Sequence, residues 1–163
     1  EGLIAAIRRM FAGIPWRNFT NNDLPESEGY YASVLYAFFA SLNAEIIPED
    51  ISNQGQVDLT VKLEGYIYVI EIKVQRGSGP TSAPGSDDTG QTDPETRAKQ
   101  KRRRPGKTDT EQAEEPANPA LAQIRARDYS AKYRGLPNKG LFELGLVFDS
   151  QARNLAQADW RAG

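Results

Sequence analysis

The stretch that decides the fold is GQVDLTVKLEGYIYVIEIK, residues 55–73. Val, Leu, Ile, Thr and Tyr fill both halves, and Glu64-Gly65 divides them with the chemistry of a two-residue hairpin turn. Around that turn Leu63 lies opposite Tyr66, Thr60 opposite Val69, and Asp58 opposite Glu71. Directly opposed residues of an antiparallel pair share a face, with Cβ atoms ~4.5–5.5 Å apart. Alternation adds Lys73 to the same face, opposite Gln56. The face therefore begins apolar, with Ile67 and Val69, and ends charged.

Two carboxylates at that spacing repel, more strongly as water is excluded. A bound cation, a protonated carboxyl or Lys73 must compensate. A divalent metal held by Asp58, Glu71 and a nearby backbone carbonyl, that of Ile72, resolves the conflict. Lys73 can then orient or deprotonate an attacking water and stabilise charge developing on a phosphate. The rival reading of the same three residues is an exposed salt-bridge cluster at the rim of a sheet.

Residues 1–13 read as a short amphipathic helix with Leu3, Ile4, Ile7 and Phe11 on one stripe. Residues 26–43 predict a second helix, apolar nearly all round and so expected to be buried, with Asp23 and Ser27 competing to cap it. Ala44–Ile51 is the strand candidate before the hairpin strands Gln56–Leu63 and Tyr66–Gln75. Residues 117–134 predict a helix packed through Ala122, Ala126, Tyr129 and Tyr133 and ended by Gly135. Gly140–Asp149 is a further strand, and Asn154–Arg161 a last edge strand.

Composition changes abruptly at 77–117, where Gly, Ser, Thr, Pro and charged residues replace apolar ones. Such a stretch buries too little to offset its ordering entropy, so it is expected to be a disordered insertion in a single domain. Its Lys101–Arg104 run could hold nucleic acid nonspecifically or be a linker feature balanced by neighbouring acids. The chain of 163 residues has neither Cys nor His, which removes thiolate zinc sites, Cys nucleophiles and every His-based hydrolase. Hydrolysis must then rest on Asp, Glu, Lys, Tyr and a hard cation. The absence of a membrane-spanning run or signal pattern leads to the expectation of a cytoplasmic protein. The first residue, Glu1, suggests a piece of a longer chain.

The hairpin, following the helix beginning SEGYYASVLYAFFASL, resembles the PD-(D/E)XK nuclease superfamily, and more narrowly the nuclease-like domain at the C-terminus of AAA-ATPase-like proteins. The resemblance covers roughly residues 22–75 and 118–160 and implies an α/β fold, a restriction-endonuclease-like αβββαβ core with a mixed central sheet flanked by helices. It implies that Asp58 and Glu71 bind Mg²⁺ or Mn²⁺ and that Lys73 is catalytic. The proline that often precedes the Asp is Val57 here. A Glu of the first core helix often joins the metal, which would be Glu28; a Glu in a first helical turn is also favoured by the helix dipole. A Gln on the helix after the third strand would be Gln123, and Arg127 and Arg134 on its stripe would contact phosphate, or simply be solvated. The implied activity is phosphodiester hydrolysis in DNA, alongside an ATPase module of the same full-length chain. The alternative is a nuclease-fold module that holds nucleic acid or a protein without cleaving.

Overall fold

The computed structural model describes residues 2–77 and 117–163. They form helix α1 (Gly2–Ala12), helix α2 (Glu28–Ser41), strands β1 (Glu45–Ser52), β2 (Gly55–Leu63) and β3 (Tyr66–Gln75), helix α3 (Pro119–Arg127), and strands β4 (Gly140–Asp149) and β5 (Asn154–Ala162). Short 3-10 turns occupy Trp16–Phe19, Leu24–Glu26 and Ala131–Tyr133. The insertion expected at 77–117 lies, apart from its two end residues, outside the described residues, as does the Lys101–Arg104 run.

One sheet runs in the order β1-β2-β3-β4-β5, antiparallel throughout except for the parallel pair β3–β4. With helices against it, this is a mixed-sheet α/β fold of the restriction-endonuclease-like type. Glu64 and Gly65 both have positive φ, 53° and 88°, as the turn that matches strand twist requires. The resulting register, Leu63↔Tyr66 through Leu59↔Ile70, is the one the sequence predicts. Alternation then sorts the core. Leu59, Val61, Ile70, Ile72, Leu146 and Phe148 pack with α1 and α2, while Val57, Ile67, Val69 and Leu141 pack with Ile124, Tyr129 and Tyr133.

Two expectations about helices are corrected. Helix α2 is capped by Ser27, whose Oγ accepts from the Tyr30 N–H, and buries only one stripe, Tyr31, Leu35 and Phe39. Tyr36 and Leu42 are exposed, because an outer-layer helix meets the sheet on a single side. Helix α3 ends at Arg127, not 134, because Asp128 takes the left-handed conformation at φ 47°. It also buries Ala120 and Ile124 instead of Ala122 and Ala126, which are exposed.

The cap of α3 explains that register. Asn118 Oδ1 accepts from the Leu121 N–H, while its Nδ2 donates to the Gly145 carbonyl and to Asp159. A Cβ at Gly145 would lie 2.3 Å from the Leu121 nitrogen, so only glycine lets the helix start this close to β4. No helix among the described residues is long and apolar enough to cross a membrane.

Candidate active site

The β2–β3 ladder stops at Leu59↔Ile70, although β2 continues beside β1 and β3 continues beside β4 to Gln75. The direct opposition of Asp58 and Glu71 is thus not kept as a ladder pair; the strands part there. Asp58 Oδ2 fills the parting by accepting the Ile72 N–H at 2.7 Å. The N–H and C=O of a strand residue project to the same side, so the Ile72 carbonyl also faces this gap.

Strand β2 turns over at the same level. Val57 packs in the cluster beneath α3, whereas Leu59 lies in the cluster beneath α2, and residues two apart on a regular strand would share a face. Across on β1, Glu49 has φ 49° and drops out of a ladder that resumes on either side as Pro48↔Leu59 and Asp50↔Val57.

Glu71 is 2% exposed. Its Oε1 accepts from Lys73 Nζ at 2.9 Å and from Gln123 Nε2, while Oε2 is buried without a hydrogen-bond partner. Burial, aided by the Asp58 charge, pushes the Glu71 carboxyl up to about 7. Burial also raises Asp58, against the opposing pull of the Ile72 N–H and Lys73. Burial works to lower the Lys73 ammonium, but its bond to Glu71 and the surrounding carboxylates carry it above its ordinary value. Lys73 is therefore a charged donor here and not a ready base. Glu28, in the first turn of α2, stands 3.6 Å from Lys73 Nζ, so the lysine bridges Glu71 and Glu28.

The two arginines behave differently from the predicted stripe. Arg127 is exposed at the end of α3. Arg134 is off that helix, held by Asp128 and Ser130 and 3.9 Å from the buried Glu143, so it does not share a face with Gln123. The break at Asp128 is the cause.

Two buried polar networks escaped the sequence reading. Asp50 accepts from Thr60 Oγ1 at 2.7 Å, Tyr133 Oη at 2.6 Å and Lys132. Glu143 accepts from Ser130 and Arg161. The signal for Glu143 was present: one charge inside the apolar strand GLFELGLVFD has to be paired.

The sequence profile of the PD-(D/E)XK nuclease superfamily matches residues 26–107, half of the chain, a span that holds Glu28, Asp58, Glu71 and Lys73. The chain belongs to the PD-(D/E)XK nuclease superfamily. It is also 41% identical over 154 residues to an uncharacterized protein in the vnfD 5′ region of Azotobacter chroococcum mcd 1, covering 94% of this chain and 22% of that one. The chain thus spans under a quarter of that curated relative's length. No solved structure matches it. Gln123 lies beyond the stretch matched to the PD-(D/E)XK profile, so its place at the site rests on geometry alone.

Membership of the PD-(D/E)XK superfamily implies a divalent metal, and the residues at the gap fit one. A carboxyl oxygen buried without a partner is costly, most of all when ionised, and Glu71 Oε2 is such an oxygen. Asp58, Glu71 and the Ile72 carbonyl make an all-oxygen donor set of the kind hard cations take. Among the described residues no three carboxylates stand close enough to form a cage by themselves. Glu28 contacts Lys73, and water would supply the ligands that Asp58, Glu71 and the Ile72 carbonyl leave open.

Proposed function

We propose that this chain is a metal-dependent nuclease domain that takes Mg²⁺ or Mn²⁺ and hydrolyses phosphodiester bonds in DNA. The observation that carries this reading is Glu71: one oxygen is bound by both Lys73 and Gln123, while the other is buried near the Asp58 backbone without a hydrogen bond of good geometry. A salt-bridge cluster at an exposed rim would leave Glu71 open to solvent, whereas it is 2% exposed. A divalent cation bound there would polarise the scissile phosphate and lower the pKa of water.

The chain's own residues supply the rest. Asp58 is fixed by the Ile72 N–H, so one carboxylate is positioned before any ligand arrives. Gln123 and Lys73 together fix the rotamer of Glu71. Lys73, held as an ammonium, orients the attacking water and stabilises negative charge developing on the phosphate. Arg127, exposed at the end of α3, offers a contact to a neighbouring phosphate. We further propose that an ATPase module of the full-length chain drives or regulates the domain; the much greater length of the relative leaves room for one.

Incubation with single- and double-stranded DNA, with and without Mg²⁺ or Mn²⁺, tests the reading. Metal-dependent cleavage lost in Asp58→Asn and Lys73→Ala supports it. DNA affinity with no cleavage under any metal points instead to a binding module.

A further inference from the structure

We infer that Asp50 is a positioning residue, which places the Asp58 carboxylate in the gap between β2 and β3 by holding β2 turned over. The inference rests on the nuclease reading only for its consequence, metal affinity; its structural part stands without it.

In a regular antiparallel ladder Asp50 shares a face with its partner Val57, and Thr60, three residues on, belongs to the opposite face. Yet Asp50 Oδ2 accepts the Thr60 hydroxyl at 2.7 Å, and Val57 packs with Tyr133, whose hydroxyl donates to that same oxygen. Val57 and Thr60 therefore sit on one side of the sheet, and Asp58-Leu59 between them must absorb the reversal. The hydrogen bond from Thr60 to Asp50 spans the reversal directly. Asp50 is itself pinned from outside the sheet, since Lys132 donates to its other oxygen and to the Ile51 carbonyl at 2.8 Å. Strand β1, the reversal in β2 and the 3-10 turn after α3 are thus tied through one buried carboxylate, 5% exposed.

Without that tie the relaxed geometry is a continued ladder. β2 and β3 would go on pairing beyond Leu59↔Ile70, Asp58 would meet Glu71 face to face, and the bond from the Ile72 N–H to Asp58 would be lost. The Asp50 carboxylate bonds Thr60, Lys132 and Tyr133 and neither Asp58 nor Glu71, so its effect passes through strand geometry. The side chains of Ser130 and Glu143 are also buried and bond neither Asp50 nor β2, and Ser130→Ala leaves in place the backbone carbonyl that accepts the Tyr133 N–H, so it controls for loss of a buried hydrogen bond beside the same turn.

The test compares Asp50→Asn and Asp50→Ala with Ser130→Ala and wild type. Hydrogen exchange at the Ile72 amide is read relative to Glu71 and Lys73, whose N–H groups alternate toward β4. Loss of one hydrogen bond predicts that Ile72 exchange speeds by about tenfold over these references in the Asp50 variants, with no relative change in Ser130→Ala. In parallel, Mn²⁺ affinity measured by calorimetry well below melting should fall about tenfold or more in the Asp50 variants and hold in Ser130→Ala. Unchanged relative exchange at Ile72 in folded Asp50→Asn and Asp50→Ala overturns the inference. So does an equal effect of Ser130→Ala. Selective exposure of Ile72 in a protein whose wild type binds no Mn²⁺ upholds the positioning role and overturns the nuclease reading alone.

Discussion

Asp58 accepts the backbone N–H of Ile72 across the point where β2 and β3 cease to pair. A side chain thus takes the place of a ladder carbonyl, and the sheet opens without leaving that N–H unsatisfied. The opening is where two carboxyl groups raised by burial meet the lysine that bridges Glu71 and Glu28.

Asp58→Asn keeps an oxygen for Ile72 while removing one of two repelling charges. The variant is expected to be as stable as wild type or more so. Mg²⁺ and Mn²⁺ should raise the melting temperature of wild type by mass action and leave the variant unmoved. Melting curves at several metal concentrations decide it; an unshifted wild type together with a destabilised variant would restore the salt-bridge reading.

The raised Glu71 carboxyl makes a signed pH prediction. Its folded pKa of about 7 lies above the ordinary 4.5, so between those values the folded state binds more protons than the unfolded one. Stability contributed by this group is then full at low pH and is lost as pH rises from about 4.5 to 7, flattening above. The shift corresponds to at most about 3–4 kcal/mol at ~1.4 kcal/mol per unit. Denaturant melts across this window in metal-free buffer should show the fall, and Glu71→Gln should abolish that component.

Lys73→Ala leaves both carboxylates, so metal binding should persist or tighten while cleavage disappears. The lysine also neutralises Glu71 and Glu28, so the metal-free variant should melt about 2–4 °C lower, roughly 1 kcal/mol. Retained cleavage would remove Lys73 from the chemistry.

Gln123→Ala frees the Glu71 rotamer without altering the donor set. Cleavage should drop by about ten- to hundredfold, as for loss of a residue that orients a ligand, with little change in melting temperature. An unaltered rate would make the contact incidental.

The hairpin and its register were legible because Glu64-Gly65 admits essentially one turn, and one turn fixes every opposition up to Leu59↔Ile70. What happens beyond that pair was not legible. Extrapolated register put Asp58 against Glu71, whereas the strands part, and the parting depends on Asp50 meeting Tyr133 from 83 residues away. Helix α3 departs from its expected packing stripe for a local reason. Ala122 and Ala126 look like a packing stripe, but the Asn118 cap and the bare backbone at Gly145 rotate Ala120 and Ile124 inward instead. Helical spacing puts Arg134 on Gln123's stripe, and nothing in ARDYSAKYR announces that Asp128 turns left-handed and claims that arginine.

Gly145→Ala follows from the same contact. A methyl 2.3 Å from the Leu121 nitrogen and 2.6 Å from Asn118 Oδ1 must displace the start of α3. A loss of about 3 kcal/mol is expected, together with separation of Gln123 from Glu71. Chemical denaturation and activity should fail together; a fully stable variant would show that α3 is free to shift.

The only parallel pairing in the sheet, β3 with β4, joins two strands whose connecting chain runs from residue 76 to 139. Asp58, Glu71 and Lys73 all precede that connection, and only Gln123 comes from within it. The hairpin that carries Asp58, Glu71 and Lys73 is closed before that connection begins, so its register does not depend on the length of the chain between β3 and α3. A circular permutant with new ends there would keep the same hairpin intact.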